Sequence, residues 1–196
     1  MMSRRCIPTP NSRTRFCEYH DRDTWVNRVI RILGIDPGSL STGYGVVDNE
    51  GQNLKHIASG CIRTSADEFS QRLRQIFFGV TAVMDEFKPL ELVVEKAFVH
   101  KNADSALKLG QARAAAICAT LQRELSVHEY TPREVKLALT GKGSAGKEQV
   151  QHMVKILLGL QGRLQADSAD ALAVAICHAH SRTLRLRLAA GQGGGR

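Results

Sequence analysis

The stretch Val29-Ile-Arg-Ile-Leu-Gly-Ile-Asp-Pro-Gly38 decides how this chain reads. A run of β-branched and apolar residues is halted by Asp36-Pro-Gly38, which predicts a buried strand running into a turn with a carboxylate at its end. Working outward, Gly43 to Asp48 and Asn53 to Arg63 predict two more strands, with Asn49-Glu-Gly51 as the hairpin turn between them. Phe69, Leu73, Ile76, Phe77, Val80 and Val83 recur at helical spacing until Lys88-Pro89, so a helix is expected over about 67–87. Leu90 to Val94 is a short apolar strand, 103–124 a second long helix and Val127 to Tyr130 a fifth strand. Thr131-Pro-Arg-Glu134 is a capping box with proline at the first helical position, opening a helix over about 132–139. Helices near 148–159 and 167–182 complete a βββαβαβααα order, the pattern of an α/β fold with a mixed sheet.

The 196 residues suffice for one domain. Residues 1–27 show neither strand nor helix periodicity and read as a disordered extension, the domain spans 28–183, and 184–196 reads as a flexible basic and glycine-rich tail. With 43% apolar and 23% charged residues the composition is that of an ordinary globular protein. No stretch approaches the ~20 apolar residues of a membrane span, and the arginine-bearing N-terminus lacks the apolar segment of a secretory signal, so a cytoplasmic protein is expected. The cysteines at 6, 17, 61, 118 and 177 fit neither a disulfide framework nor zinc-ligand spacing and read as reduced thiols.

The net charge is +8, and its distribution says more than its total. Residues 28–97 sum to −1, residues 98–163 to +5 and residues 164–180 to −2. A basic middle flanked by isolated carboxylates suits a protein that holds a polyanion and performs metal chemistry on it.

Four carboxylates stand out. Asp36 sits where a buried strand meets a glycine-rich turn, the edge at which α/β sites are built, although Asp-Pro-Gly is also a plain turn former. Glu95 ends the apolar run Leu92-Val93-Val94, where a carboxylate is costly unless a cation or hydrogen bonds receive it; pairing with Lys96 is the simpler alternative. Asp167 and Asp170 stand three apart and can share a helix face, yet acids in a first turn also merely cap a helix. Together, four acids at the ends of separate elements suit a hard cation such as Mg²⁺, and a pair of such ions can drive phosphodiester hydrolysis.

Gly141-Lys-Gly-Ser-Ala-Gly-Lys147-Glu148 comes close to a phosphate-binding loop, but Glu148 replaces the required hydroxyl and a helix precedes it. Its glycines with Lys142 and Lys147 still form a cradle for a DNA phosphate. Phe98 follows Glu95 and could stack on an unpaired base or serve as core. The histidines show no His-x-x-x-His pair with an acid partner, and packing is the expected role of each.

These residues carry a family resemblance. Ile32-Leu-Gly-Ile-Asp-Pro-Gly38 with Thr42-Gly-Tyr-Gly45, Gly60-Cys-Ile-Arg-Thr64, Lys101-Asn-Ala-Asp-Ser-Ala-Leu-Lys-Leu-Gly-Gln-Ala-Arg113, Gln149-Val-Gln-His-Met-Val154 and Gln165-Ala-Asp-Ser-Ala-Asp-Ala-Leu-Ala173 resemble the RuvC family of bacterial Holliday-junction resolvases. The resemblance covers about 30–180 and leaves the first 27 residues without a counterpart.

The resemblance implies an RNase H-like domain, a mixed five-stranded sheet flanked by helices, acting as a homodimer that nicks two strands of like polarity in a four-way DNA junction. It implies two Mg²⁺ ions per subunit, with Mn²⁺ as substitute, on Asp36, Glu95, Asp167 and Asp170. The last position is histidine in some members and aspartate here. Phe98 matches an aromatic that stacks near the crossover, and Lys136 and Lys147 match basic DNA contacts. A junction-binding protein and a branch-migration motor are the implied partners. An RNase H-like RNA-processing nuclease and a catalytically silent junction-binding scaffold are the competing readings, and the intact set of four acids speaks against the second.

Overall fold

The computed structural model describes residues 29–96, 102–123 and 125–191. The elements are β1 (Ile30–Asp36), β2 (Ser41–Glu50), β3 (Asn53–Arg63), α1 (Phe69–Phe87), β4 (Glu91–Glu95), α2 (Ala103–Cys118), a 3₁₀ turn (Leu121–Arg123), β5 (Ser126–Tyr130), α3 (Pro132–Thr140), α4 (Lys147–Leu158) and α5 (Ala166–Gly191). The order is the one expected, and the sheet is mixed. Its strands run β3-β2-β1-β4-β5, with β2 antiparallel to both β1 and β3, and β4 parallel to both β1 and β5.

Strand alternation sorts the side chains into two cores. Leu33 and Ile35 of β1 and Leu92 and Val94 of β4 face α1 and α2, where they pack on Ile76, Val80, Met84, Ala112 and Ala116. Ile32 and Val93 face the other way, onto Leu172, Ala175 and Ile176 of α5 and beyond them α3 and α4. The same alternation turns Asp36, Glu91 and Glu95 toward the α5 side. α5 is buried nearly all round over Ala171–Ala179, so it is the central helix of that layer.

Small residues let α5 sit this close. A Cβ on Gly34 would lie 2.1 Å from the Ala171 carbonyl oxygen, and one on Gly43 would lie 2.0 Å from the Asp167 carbonyl oxygen. Since Asp36 pairs with Gly43 across β1 and β2, this approach brings the first turn of α5 against the end of β1.

Three of the differences from the expected boundaries have a visible physical cause. The second long helix ends at Cys118, because Thr120 is buried and turns its hydroxyl onto the Ile117 carbonyl at 2.7 Å, closing a tighter turn. The hairpin between β2 and β3 reverses at Gly51-Gln52, with Gly51 at φ 59°, so β2 extends to Glu50. The last helix runs to Gly191, past the expected stop at 182 and through the expected domain end at 183. Leucine and arginine alternate over Leu184–Leu188, and both are strong helix formers that continue the helix into solvent. The expected extension at 1–27 and the last five residues of the expected tail lie outside the described residues.

Candidate metal and nucleic-acid site

Asp36 ends β1, Glu95 ends the adjacent parallel strand β4, Asp167 lies in the first turn of α5 and Asp170 one turn further along it. The four meet electrostatically. Burial, then the charges of Asp170, Glu95 and Asp167, push the Asp36 carboxyl up to about 7 from an ordinary 3.8. Burial and Asp170 likewise raise Glu95, while Lys147 and Lys136 pull it down. Two carboxylates raised by their acidic neighbours mark a pocket of concentrated negative charge, and the donors of all four acids are hard oxygens. That set fits Mg²⁺ or Mn²⁺ and suits no soft metal.

The acids are held in place by their neighbours. Ser41 at the start of β2 donates its hydroxyl to Asp167 Oδ2 at 2.5 Å. Thr42, fully buried, donates to the Gly38 carbonyl at 3.0 Å and pins the turn after Asp36. The Lys96 N–H bonds the Tyr130 carbonyl at 2.8 Å, prolonging the sheet beyond Glu95.

Two cavities adjoin the acids. One, about 220 Å³, is lined by Glu95, Lys136, Lys147 and Asp170 together with apolar residues of α3, α4 and α5. Lys147 Nζ lies 2.6 Å from Asp170 Oδ2. Lys136 and Lys147 therefore stand beside the acids. Lys142 is exposed on the α3–α4 loop, its N–H bonded to Thr140 Oγ1 at 3.2 Å, and it lines neither cavity. Phe98 lies outside the described residues. The second cavity, about 910 Å³, runs from Asp167 and Ser41 past Arg63, His152 and Lys155 to Arg163. This basic cleft was not evident from sequence, because its arginines and lysine come from β3, α4 and the α4–α5 loop and share no local motif.

A second cluster lies farther down the same face of the sheet. Glu91, His128 and His178 bring candidate donor atoms within 4.8 Å of one another, close enough for a divalent metal. His178 is fully buried and hydrogen-bonded at both nitrogens: to Glu91 Oε2 at 2.6 Å and to Tyr130 Oη at 2.9 Å. Sequence reasoning missed the cluster because its members come from β4, β5 and α5. Among the described residues no helix is long and apolar enough to cross a membrane.

A mixed sheet in this order, with acids at the ends of its two central parallel strands and on the helix crossing them, defines an RNase H-like nuclease fold. Residues 32–178 match the family described as "Crossover junction endodeoxyribonuclease RuvC", and the chain belongs to that family. A relative of that description from Methylococcus capsulatus is 60% identical over 144 residues, covering 74% of this chain and 87% of the relative. The solved RuvC structure from Thermus thermophilus superposes with a TM-score of 0.73 at 34% identity, covering 80% of this chain and 98% of that one. The same protein in complex with a Holliday junction substrate gives a TM-score of 0.75 at 33% identity, covering 80% and 97%.

Proposed function

We propose that this protein is a structure-selective endonuclease that binds four-way DNA junctions as a homodimer and nicks two strands of like polarity. The convergence of Asp36, Glu95, Asp167 and Asp170 at one end of the sheet carries this reading. These four carboxylates would hold two Mg²⁺ ions per subunit, with Mn²⁺ able to replace them. When bound, the ions supply Lewis acidity for in-line attack of water on a phosphodiester and for departure of the 3′ oxygen, leaving 5′-phosphate and 3′-hydroxyl ends.

The chain's own part is placement. Asp36 and Glu95 ride on buried strands and Asp167 and Asp170 on a buried helix, so their oxygens are fixed by the core. Ser41 orients Asp167. Lys147 offsets the charge of the acids and reaches, with Lys136, toward the phosphate backbone; Lys142 adds a contact from its loop. The cleft lined by Arg63, Lys155 and Arg163 gives a strand a basic path to Asp167. Phe98 stacks on a base near the crossover. A junction-binding protein and a branch-migration motor complete the assembly, which works in the cytoplasm.

The test is cleavage of a branch-migrating four-way junction in Mg²⁺, beside a matched linear duplex, an RNA–DNA hybrid, an EDTA control and Asp36→Asn. Paired, ligatable nicks confined to the junction are expected. Tight binding without nicks would favour a silent scaffold, and preference for the hybrid would favour an RNA-directed nuclease.

A further inference from the structure

We infer that Glu91, His128 and His178 form a second metal site, for a borderline transition-metal ion of the Zn²⁺ class, distinct from the four-acid cluster. The two sites share a strand and a helix but not a location. Glu91 and Glu95 stand at opposite ends of β4, about 13 Å apart at the rise of a strand. His178 lies about 12 Å along α5 from Asp170 at the rise of a helix.

The donor set decides the class of ion. Two imidazoles and one carboxylate suit Zn²⁺ and its neighbours, whereas Mg²⁺ prefers oxygen alone. The donor atoms already lie within 4.8 Å of one another, and the His128 and His178 rings are 4.2 Å apart at 31°. Glu91 can ligate through Oε2, because Arg182 Nε approaches its other oxygen, Oε1, at 3.4 Å. His128 and Glu91 are only partly buried, so water can take a fourth position.

His178 has the outer partner that a ligating histidine needs. Without metal, its Nε2–H donates to Glu91 Oε2 and its Nδ1 accepts from Tyr130 Oη. With metal, the Nε2 lone pair goes to the ion and the proton sits on Nδ1, donated to Tyr130 Oη. A phenol serves either arrangement because it both donates and accepts. The charged groups around the cluster are Glu91, Arg182 and Arg185, and the carboxylate is the ligand that offsets the ion. Bound metal would tie the edge strand β5 to β4 and α5.

The experiment uses full-length, chelator-stripped protein in excess Mg²⁺, which occupies the four-acid cluster, and titrates Zn²⁺ by equilibrium dialysis with Tm read in parallel. Co²⁺ absorption serves as a spectroscopic probe. His128→Phe keeps an aromatic ring against His178 and removes only the ligand nitrogen; Glu91→Gln keeps an acceptor for His178 and removes the charge. Wild type should take up one Zn²⁺ with a rise in Tm and give the intense visible bands of four-coordinate Co²⁺. Both variants should lose the uptake, the Tm rise and the bands, while cleaving junctions in Mg²⁺ as wild type does. Equal Zn²⁺ uptake by wild type and either folded variant, or none by wild type, would overturn the assignment. Failure of junction cleavage in all three proteins would count against the nuclease reading and leave this site standing.

Discussion

Lys147, in the first turn of α4, reaches Asp170, near the start of α5, with 2.6 Å between Nζ and Oδ2. The contact raises the Lys147 pKa, and the lysine's charge in turn lowers Asp36 and Glu95. With Lys136, it is thus a cation that offsets the charge of the acids when no metal is bound. Lys147→Met should move the acid limb of Mg²⁺-dependent cleavage to higher pH, because the carboxylates then ionise later. Lys147→Arg should restore most of the original profile. Rate against pH for the three proteins is the check.

Asp36 gives the metal-free protein an inverted pH dependence. In the folded state the carboxyl keeps its proton up to about 7, against an ordinary 3.8 for the unfolded chain. Between these values the folded state binds more protons, so stability falls as pH rises. The whole interval corresponds to about 4 kcal/mol at ~1.4 kcal/mol per tenfold change, spread over the coupled acids. With EDTA present, denaturant midpoints should therefore be higher at about pH 5 than at about pH 8 for wild type. Asp36→Asn should flatten that difference, raise stability at the higher pH and lower Mg²⁺-dependent cleavage by roughly 10²-fold or more. A wild-type midpoint that rises with pH would show the acids to be far apart.

Gly43 is where β2 admits α5. Its missing Cβ would lie 2.0 Å from the Asp167 carbonyl oxygen, backbone that no side-chain rotation can clear. Gly43→Ala should cost about 1–3 kcal/mol by overpacking and, by shifting the first turn of α5, reduce cleavage more than junction binding. Thermal unfolding, a binding isotherm and single-turnover cleavage separate these effects.

His178 links α5 to β4 and β5 through hydrogen bonds at both ring nitrogens. Burial pushes the Glu91 carboxyl up, but the His178 hydrogen bond, its charge and Arg182 together hold it below its ordinary 4.5. Its contribution to stability is full above that value and is lost as pH falls through the lower folded one. His178→Ala should destabilise the protein by about 2–4 kcal/mol, since it opens a cavity and strands two polar partners. His178→Gln should recover part of the loss. Denaturation with EDTA present measures both.

Much of this protein was legible along the chain. The β-branched run ending at Asp36, the apolar run ending at Glu95 and the capping box at Thr131 are signals carried by neighbours in sequence, and the elements they mark are the ones observed. The boundaries that moved did so for reasons outside those signals. The helix expected over 103–124 stops at Cys118 because Thr120 is buried, which no local pattern reveals.

The sequence by itself determined which residue types stand at the ends of strands and helices, because propensity, capping and turn chemistry act over a few residues. It also carried the family motifs. Tertiary structure decided what those residues meet. Strand alternation and the close approach of α5 over Gly34 and Gly43 bring Asp36, Glu95, Asp167 and Asp170 within reach of one another's charge. The same packing joins Glu91, His128 and His178, whose positions in the chain give no hint of contact. Burial and charge sum over space, so pKa shifts, clefts and metal sites exist only once distant segments are packed together.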